Sequence, residues 1–381
     1  MSTVKDVGRC RSLIDIEDII SQIELSVADT RFRFTTDSLD ARHSPMHDAS
    51  RLQMIVTLAR KRLEDSFLDI HPNTSEQKAL EAASDYSPGI AGIRLSRGLR
   101  LGSTEIDRRD VLAFATERMR AMDAEDFDRV IKGRCIDLLC IAGSKIQYLK
   151  PLFAARGVAK EKDEMAPVMR KIIARATQQS NDKVPDSLVD ALSLFSAELV
   201  QNTQDHATKD HNNRPFLSHV EGMFVGWTRH REKEFHDDFT GHPNLQKYWN
   251  NEAARTDSGI KSLRVFEVSY FDSGPGFVSR YTGKLVEEMS LSDERQVLLK
   301  CLQHKSTSKC QTAAGEGLPS VLSELRQIGG LMRIRTGRLS MFNAFTPGEN
   351  RELFAFNNWT ESRLSPVQGA VISILVPLRG Q

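Results

Sequence analysis

Residues 197–207 read Ala-Glu-Leu-Val-Gln-Asn-Thr-Gln-Asp-His-Ala, AELVQNTQDHA, and close a strongly periodic segment. Just upstream, Leu188, Leu192, Phe195 and Leu199 recur at i, i+4, i+7 and i+11. That spacing predicts a helix from about Ser187 to Ala207 with one buried face, capped at its start by Asp186 or Ser187. Glu198, Asn202 and His206 are four residues apart, and such steps drift by only roughly 40° around a helix. The three polar side chains therefore line one edge, beside the apolar face. Neither Glu nor Asn gains from lying next to a core without a partner. The amide oxygen of Asn202 is a hard ligand suited to Mg²⁺, and Glu198 can order or deprotonate an attacking water. Alone, the three also fit a capped amphipathic helix with solvated polar residues. What surrounds them decides the reading.

Two further constellations lie downstream. Asp272-Ser-Gly274-Pro-Gly276 follows an apolar strand, Ser262–Phe271. A carboxylate at a strand end can accept from the exocyclic amine of an adenine, and the glycines let a flat base approach closely. Gly315-Glu-Gly317-Leu318 follows His304-Lys-Ser-Thr-Ser-Lys309 and leads into a helix starting near Leu318. Backbone N–H groups at such a helix start attract phosphate. Lys305 or Lys309 can reach a terminal phosphate, and Ser306, Thr307 or Ser308 can donate to it. Taken singly, the first is an ordinary turn and the second a solvent loop. No GxxxxGK[ST] phosphate loop occurs.

Taken together and in order, these motifs resemble the GHKL superfamily of ATPases, which includes histidine kinases, gyrase-type ATPases and MutL. ELVQNTQDHA looks like that family's N box, DSGPG like its G1 box and GEGL like its G2 box. Gly329-Gly330 before strand Leu331–Thr336, and the closing strand GAVISILVPL (369–378), also look like the family's ending. The resemblance covers roughly residues 185–381. It implies the Bergerat fold, an α/β sandwich whose mixed sheet carries helices on one face. It further implies Asn202 as the Mg²⁺ ligand and Glu198 as general base. Asp272 would bind the adenine amine, with Gly274 and Gly276 shaping the pocket. Lys309, Gly315, Gly317 and Leu318 would form the lid and phosphate loop. The implied cofactors are ATP and Mg²⁺. The chain departs from the pattern in two places. The long gap between Asn202 and Asp272 implies an insertion around residues 212–257, and the glycine-rich lid is reduced to AAGEGL.

Residues 1–180 resemble no family and read as a mixed α/β domain that serves regulation or partner recognition. Helices are expected from Asp48 or Ser50 to Ala59, over Val111–Met122 and over Met165–Ala176, and strands at Phe67–Ile70 and Cys135–Ile141. Gly157–Glu164 reads as a linker or turn, and the polar stretch Thr177–Pro185 as the domain boundary. After the N-box segment, a strand is expected at Phe216–Thr228 and helices at Pro243–Ala254 and Ser292–Gln303. His206, His211, His219, His230, His236 and His242 crowd one region, with Asp237 and Asp238 nearby. Their spacings fit no zinc pattern and no cysteine is close, so they read as a solvated loop.

The whole chain has 381 residues and a net charge of +1, from 52 basic and 51 acidic side chains. That balance does not indicate nucleic acid as the main partner. The five cysteines form no CxxC pair, the N-terminus has no apolar signal core and no apolar run spans a bilayer. The expected setting is therefore cytoplasmic, with a protein partner or a homodimer. Within this fold class the leading expectation is an ATPase switch in signalling or defence. A serine kinase of the anti-sigma type, an atypical histidine kinase and a non-hydrolysing ATP sensor are the alternatives. No histidine occurs over residues 120–185, where a phosphoacceptor is expected. The last strand is followed by only a few residues, so no gyrase-type transducer domain is expected either.

Overall fold

The computed structural model describes residues 3–27, 29–40, 44–63, 66–71, 74–144, 146–178, 184–239, 242–255, 259–303 and 317–379. In chain order the elements begin with β1 (Val4–Val7), α1 (Leu13–Leu25), β2 (Arg31–Phe34), α2 (Thr36–Asp40), α3 (Pro45–Leu58), β3 (Leu68–Ile70), α4 (Glu76–Ser84), α5 (Ser87–Leu95), β4 (Gly98–Leu101) and β5 (Thr104–Asp107). There follow α6 (Arg108–Phe114), α7 (Thr116–Asp123), α8 (Phe127–Val130), β6 (Cys135–Ile141), β7 (Phe153–Ala155), β8 (Val158–Ala159), α9 (Lys162–Thr177) and α10 (Asp186–His206). The rest comprises β9 (Val220–Arg231), α11 (Glu232–Phe239), α12 (Pro243–Glu252), β10 (Ala254–Arg255), β11 (Lys261–Asp272), α13 (Phe277–Thr282), α14 (Leu291–Gln303), α15 (Leu318–Ile328), β12 (Gly330–Gly337), β13 (Leu339–Phe345), β14 (Asn357–Asn358) and β15 (Val367–Pro377).

The chain is α/β, with two main sheets. The first runs β1-β2-β3-β4-β5 and is mixed: β1 to β4 pair parallel and β5 antiparallel. The second runs β14-β13-β12-β15-β11-β9-β6, with β10 beside β11, and every pairing in it is antiparallel. The mixed sheet expected of the C-terminal half thus lies in the N-terminal half. Among the described residues no helix is long and apolar enough to cross a membrane.

Three further expectations need correction. The boundary at 180–185 does not separate the sheets, because β6 is the edge strand of the second one and pairs with β9. Most of Thr177–Pro185 lies outside the described residues, and α9 and α10 on either side of it pack against each other. The supposed insertion at 212–257 contains β9, which sits between β6 and β11, so that part of it belongs to the sheet. Likewise, Gly157–Glu164 holds β8 and the first turn of α9 rather than a plain linker.

Helices cover both faces of the second sheet, not one. Side chains alternate along a strand, so the register assigns each residue to a face. Glu267, Ser269, His230, Ser373, Arg333 and Arg335 share the face that meets α3. Tyr270, Asp272, Glu221, Ala370 and Ile372 share the opposite face, which meets α10. The apolar stripe of α10 is buried as its spacing predicts, through Leu188, Leu192, Phe195 and Leu199. Its start differs in detail. Pro185 takes the capping position and Asp186 lies in the first turn, where its charge opposes the helix dipole.

Helix α3 is the larger surprise. Its cap is Ser44, with Pro45 in the first turn, and every residue from Pro45 to Leu58 is buried. It lies between the second sheet on one side and α1 and α5 on the other. The 1–180 region is therefore anchored to the sheet that carries the C-terminal motifs.

Candidate functional site

The α10 face of the sheet is not filled. Between the C-terminal half of α10, the ends of β11 and β15 and the start of α13 lies a cavity of about 450 Å³. That volume is in the range of small-molecule sites. Asn202, His206, Asp272, Gly276, Gly317 and Leu318 all contribute to its wall. Residues separated by seventy to over a hundred positions in sequence thus converge on one space. Lys309 and Gly315, with Lys305, Ser306, Thr307 and Ser308, lie outside the described residues.

Asp272 ends β11 opposite Ala370 of β15 and Glu221 of β9. One carboxylate oxygen accepts the Gly274 N–H at 2.8 Å, which folds the chain into a tight turn. Burial pushes its pKa up to about 6, against the lowering influence of His219 and the Gly274 N–H. At neutral pH the group is a carboxylate held in a poorly solvated place, where a neutral N–H donor is welcome.

The two glycines of the turn do different work from the expectation. A Cβ on Gly274 would lie 2.7 Å from the Ala207 carbonyl oxygen and 2.8 Å from its Cα. Gly274 thus lets the turn close onto the end of α10 rather than onto a ligand. Gly276 has a φ of 82° and lines the cavity, and a Cβ there would meet the Thr336 hydroxyl at 2.7 Å. The Gly274 carbonyl accepts the Gly369 N–H at 2.8 Å, so the turn is tied to β15 as well.

Asn202 is half-buried on α10, and among the described residues its carboxamide makes no hydrogen bond. Glu198 is placed one turn earlier and is not part of the cavity wall. Burial raises its pKa, while the nearby backbone N–H of Gly317 pulls the other way. Gly317 is the N-cap of α15, with a φ of 70°. The base candidate is thereby linked to the start of the helix expected to take phosphate. His206 is the last residue of α10, and burial lowers its pKa, so a neutral imidazole faces the cavity.

Sequence reasoning missed several wall residues. Arg280 and Tyr281 of α13 and Cys301 of α14 also line the cavity. Arg280 also donates to the Asp210 carbonyl at 3.4 Å. The signal was there, because Arg280 lies four residues beyond Gly276, but only the angle of α13 brings it round. Much of the remaining wall is apolar, including Leu199, Phe277 and Ile372.

Among the described residues no group of three or more His, Cys, Asp or Glu is placed to hold a metal ion. The solvated-loop reading fails for two of the histidines. His219 is buried against Glu221 at 3.2 Å, and His230 is buried against Glu267 at 2.7 Å. His242 caps α12 by accepting the Asn244 N–H.

Compared with protein-family models, with curated proteins and with solved structures, the chain matches none.

Proposed function

We propose that the cavity binds Mg·ATP and that the chain is a nucleotide-dependent ATPase switch with a GHKL-type site. The observation that carries this reading is the convergence of Asn202 and Asp272 on one cavity, with Gly317 and Leu318 beside them. The donor set fits the ligand. Asp272 offers a desolvated carboxylate to the adenine amine, and the apolar walls suit a purine ring. Among the described residues the Asn202 carboxamide has no protein partner to lose, which suits a ligand of Mg²⁺; phosphate oxygens and water would complete the shell. Mg·ATP, when bound, supplies a phosphoanhydride activated toward attack. The protein's own part is to hold the base and metal ends, exclude water and provide a carboxylate base. Glu198 fits that last role, because burial raises its proton affinity above that of an ordinary carboxylate. Arg280 adds a positive charge to the wall.

The test is equilibrium binding of ATP with and without Mg²⁺, followed by phosphate release. The expectation is Mg-dependent binding that Asn202→Ala weakens strongly, and slow turnover that Glu198→Ala abolishes while binding persists. Label from γ-phosphate ATP should appear as free phosphate and not on protein. Metal-independent binding, or full turnover in Glu198→Ala, removes the corresponding assignment.

A further inference from the structure

We propose that Arg60 is a positioning residue for the Asp272 carboxylate, so that a side chain from the N-terminal half completes the ATP site. The inference rests on the nucleotide reading above. Arg60 lies in a π-helical turn, Ala59–Leu63, that continues α3. Such turns widen the helix and re-aim one side chain. Its guanidinium donates to the Ser218 carbonyl at 2.7 Å and to the Ser273 carbonyl at 3.1 Å, and lies 4.2 Å over the Phe216 ring. Ser273 is the residue directly after Asp272.

The Ser273 carbonyl belongs to the peptide whose N–H, on Gly274, fixes the Asp272 carboxylate. Holding that carbonyl therefore holds the N–H and, through it, the direction of the carboxylate. Two further ties from the same helix reach the same turn. The Thr57 hydroxyl accepts the Gln368 N–H at 3.0 Å, and the next residue, Gly369, donates to the Gly274 carbonyl. Gln53 donates to the Gly369 carbonyl at 3.4 Å.

Behind the turn runs a row of buried polar groups. The Ser273 hydroxyl accepts the Val220 N–H at 2.8 Å and meets His219 Nδ1 at 3.1 Å, and His219 Nε2 meets Glu221. Glu221 in turn accepts from Gln204 of α10. This serine–histidine–glutamate row is not a nucleophilic centre, because Ser273 is fully buried and its hydroxyl already serves Val220. It joins the Arg60 contact to α10, the helix of Asn202. A positive charge placed at two carbonyl oxygens is a strong, directional tie.

The experiment is calorimetric titration with Mg·ATP and with Mg·inosine triphosphate, which has an oxygen in place of the adenine amine. Wild type should prefer ATP. Arg60→Ala should weaken ATP binding about tenfold and inosine triphosphate binding far less, so the preference collapses. Arg60→Lys, which still donates but cannot lie flat on Phe216, should recover part of the preference. On an Asp272→Asn background, Arg60→Ala should cause no further loss, since residues acting as one unit are not additive. Equal losses for both nucleotides that add to those of Asp272→Asn would mean a purely structural role and overturn the inference. So would an Arg60→Ala protein indistinguishable from wild type. If Arg60→Ala does not fold, the Arg60→Lys preference decides, and an unchanged preference overturns the inference. Wild type that binds neither nucleotide overturns the nucleotide reading itself, and this inference with it.

Discussion

The two faces of the antiparallel sheet differ in kind. The α3 face is closed, and it is closed with charges. Asp137 takes Arg118, together with the Ser87 N–H at 3.0 Å and hydroxyl at 2.6 Å. Glu267 takes His230 and the Met46 N–H, and Arg335 takes Glu17 at 2.8 and 2.9 Å. Asp238 of α11 takes His47 at 3.0 Å and the Leu13 N–H at 2.9 Å. The α10 face is mostly apolar, yet it leaves a cavity with one desolvated carboxylate in its wall and one carboxamide that has no hydrogen-bond partner among the described residues. Buried charges add little stability unless each is paired, but they penalise every wrong docking. The contrast teaches a division of labour: one face fixes where the N-terminal half sits, and the other keeps room for a ligand.

That division can be broken from either side. The largest effect is expected from Arg118→Met, which strands the buried Asp137 carboxylate. Unfolding free energy should drop by about 3 kcal/mol in urea titrations. Nucleotide affinity in the still-folded protein should stay near wild type. A loss under 1 kcal/mol would show that the charges on the α3 face do not hold it. Next comes Gly274→Ala on the cavity side, where the added carbon must displace the Ala207 backbone. ATP affinity should fall roughly tenfold through the shifted turn, and unchanged affinity would mean the turn's closure onto α10 is irrelevant to the site.

Smaller effects come from pH, and the two faces respond differently. Burial alone would lower the His47 pKa, but the Asp238 carboxylate outweighs it and holds the imidazole above its ordinary value. Its stabilisation is therefore complete below about pH 6.5 and is lost as pH rises through the folded pKa. Asp238 works in the other sense. Burial would raise its pKa, yet the His47 interaction holds it below the ordinary value, so its share is present above about pH 4 and is lost only in acid. Wild type should accordingly lose stability more steeply than His47→Gln as pH rises above about 6.5; parallel profiles would refute the pairing. On the other face, protonation of Asp272 near pH 6 removes the acceptor proposed for the adenine amine. ATP affinity should fall about fourfold from pH 7.5 to 5.5 beyond the change in inosine triphosphate binding. Equal changes for both would separate Asp272 from the base.

The α10 face was largely legible in the sequence. Its helix has an apolar stripe at helical spacing, and Asp272 and Gly276 sit next to a clear strand, so local pattern sufficed. Arg280 escaped because its place depends on how α13 leaves the turn, which spacing does not encode. The α3 face was hardly legible. Glu17 and Arg335 are 318 positions apart, and Met46 and Glu267 are 221 apart. Nothing local marks them as partners. His47, Asp48 and Arg51 make α3 look like a surface helix, since buried charges are rare and are recognisable only once their partners are placed. The same reason hid the burial of His219 and His230. The strand β9 was found, yet it read as part of an insertion because its sheet neighbours, β6 and β11, come from both sides of the assumed boundary.

The central claim is that Asp272 reads a purine amine inside the α10-face cavity. Asp272→Asn tests it directly, because the amide oxygen can still accept the Gly274 N–H and keep the turn. Calorimetric titration with Mg·ATP should show a fall of about a hundredfold or more against wild type, with the unfolding midpoint nearly unchanged. Wild-type affinity retained in the Asp272→Asn protein would contradict the account.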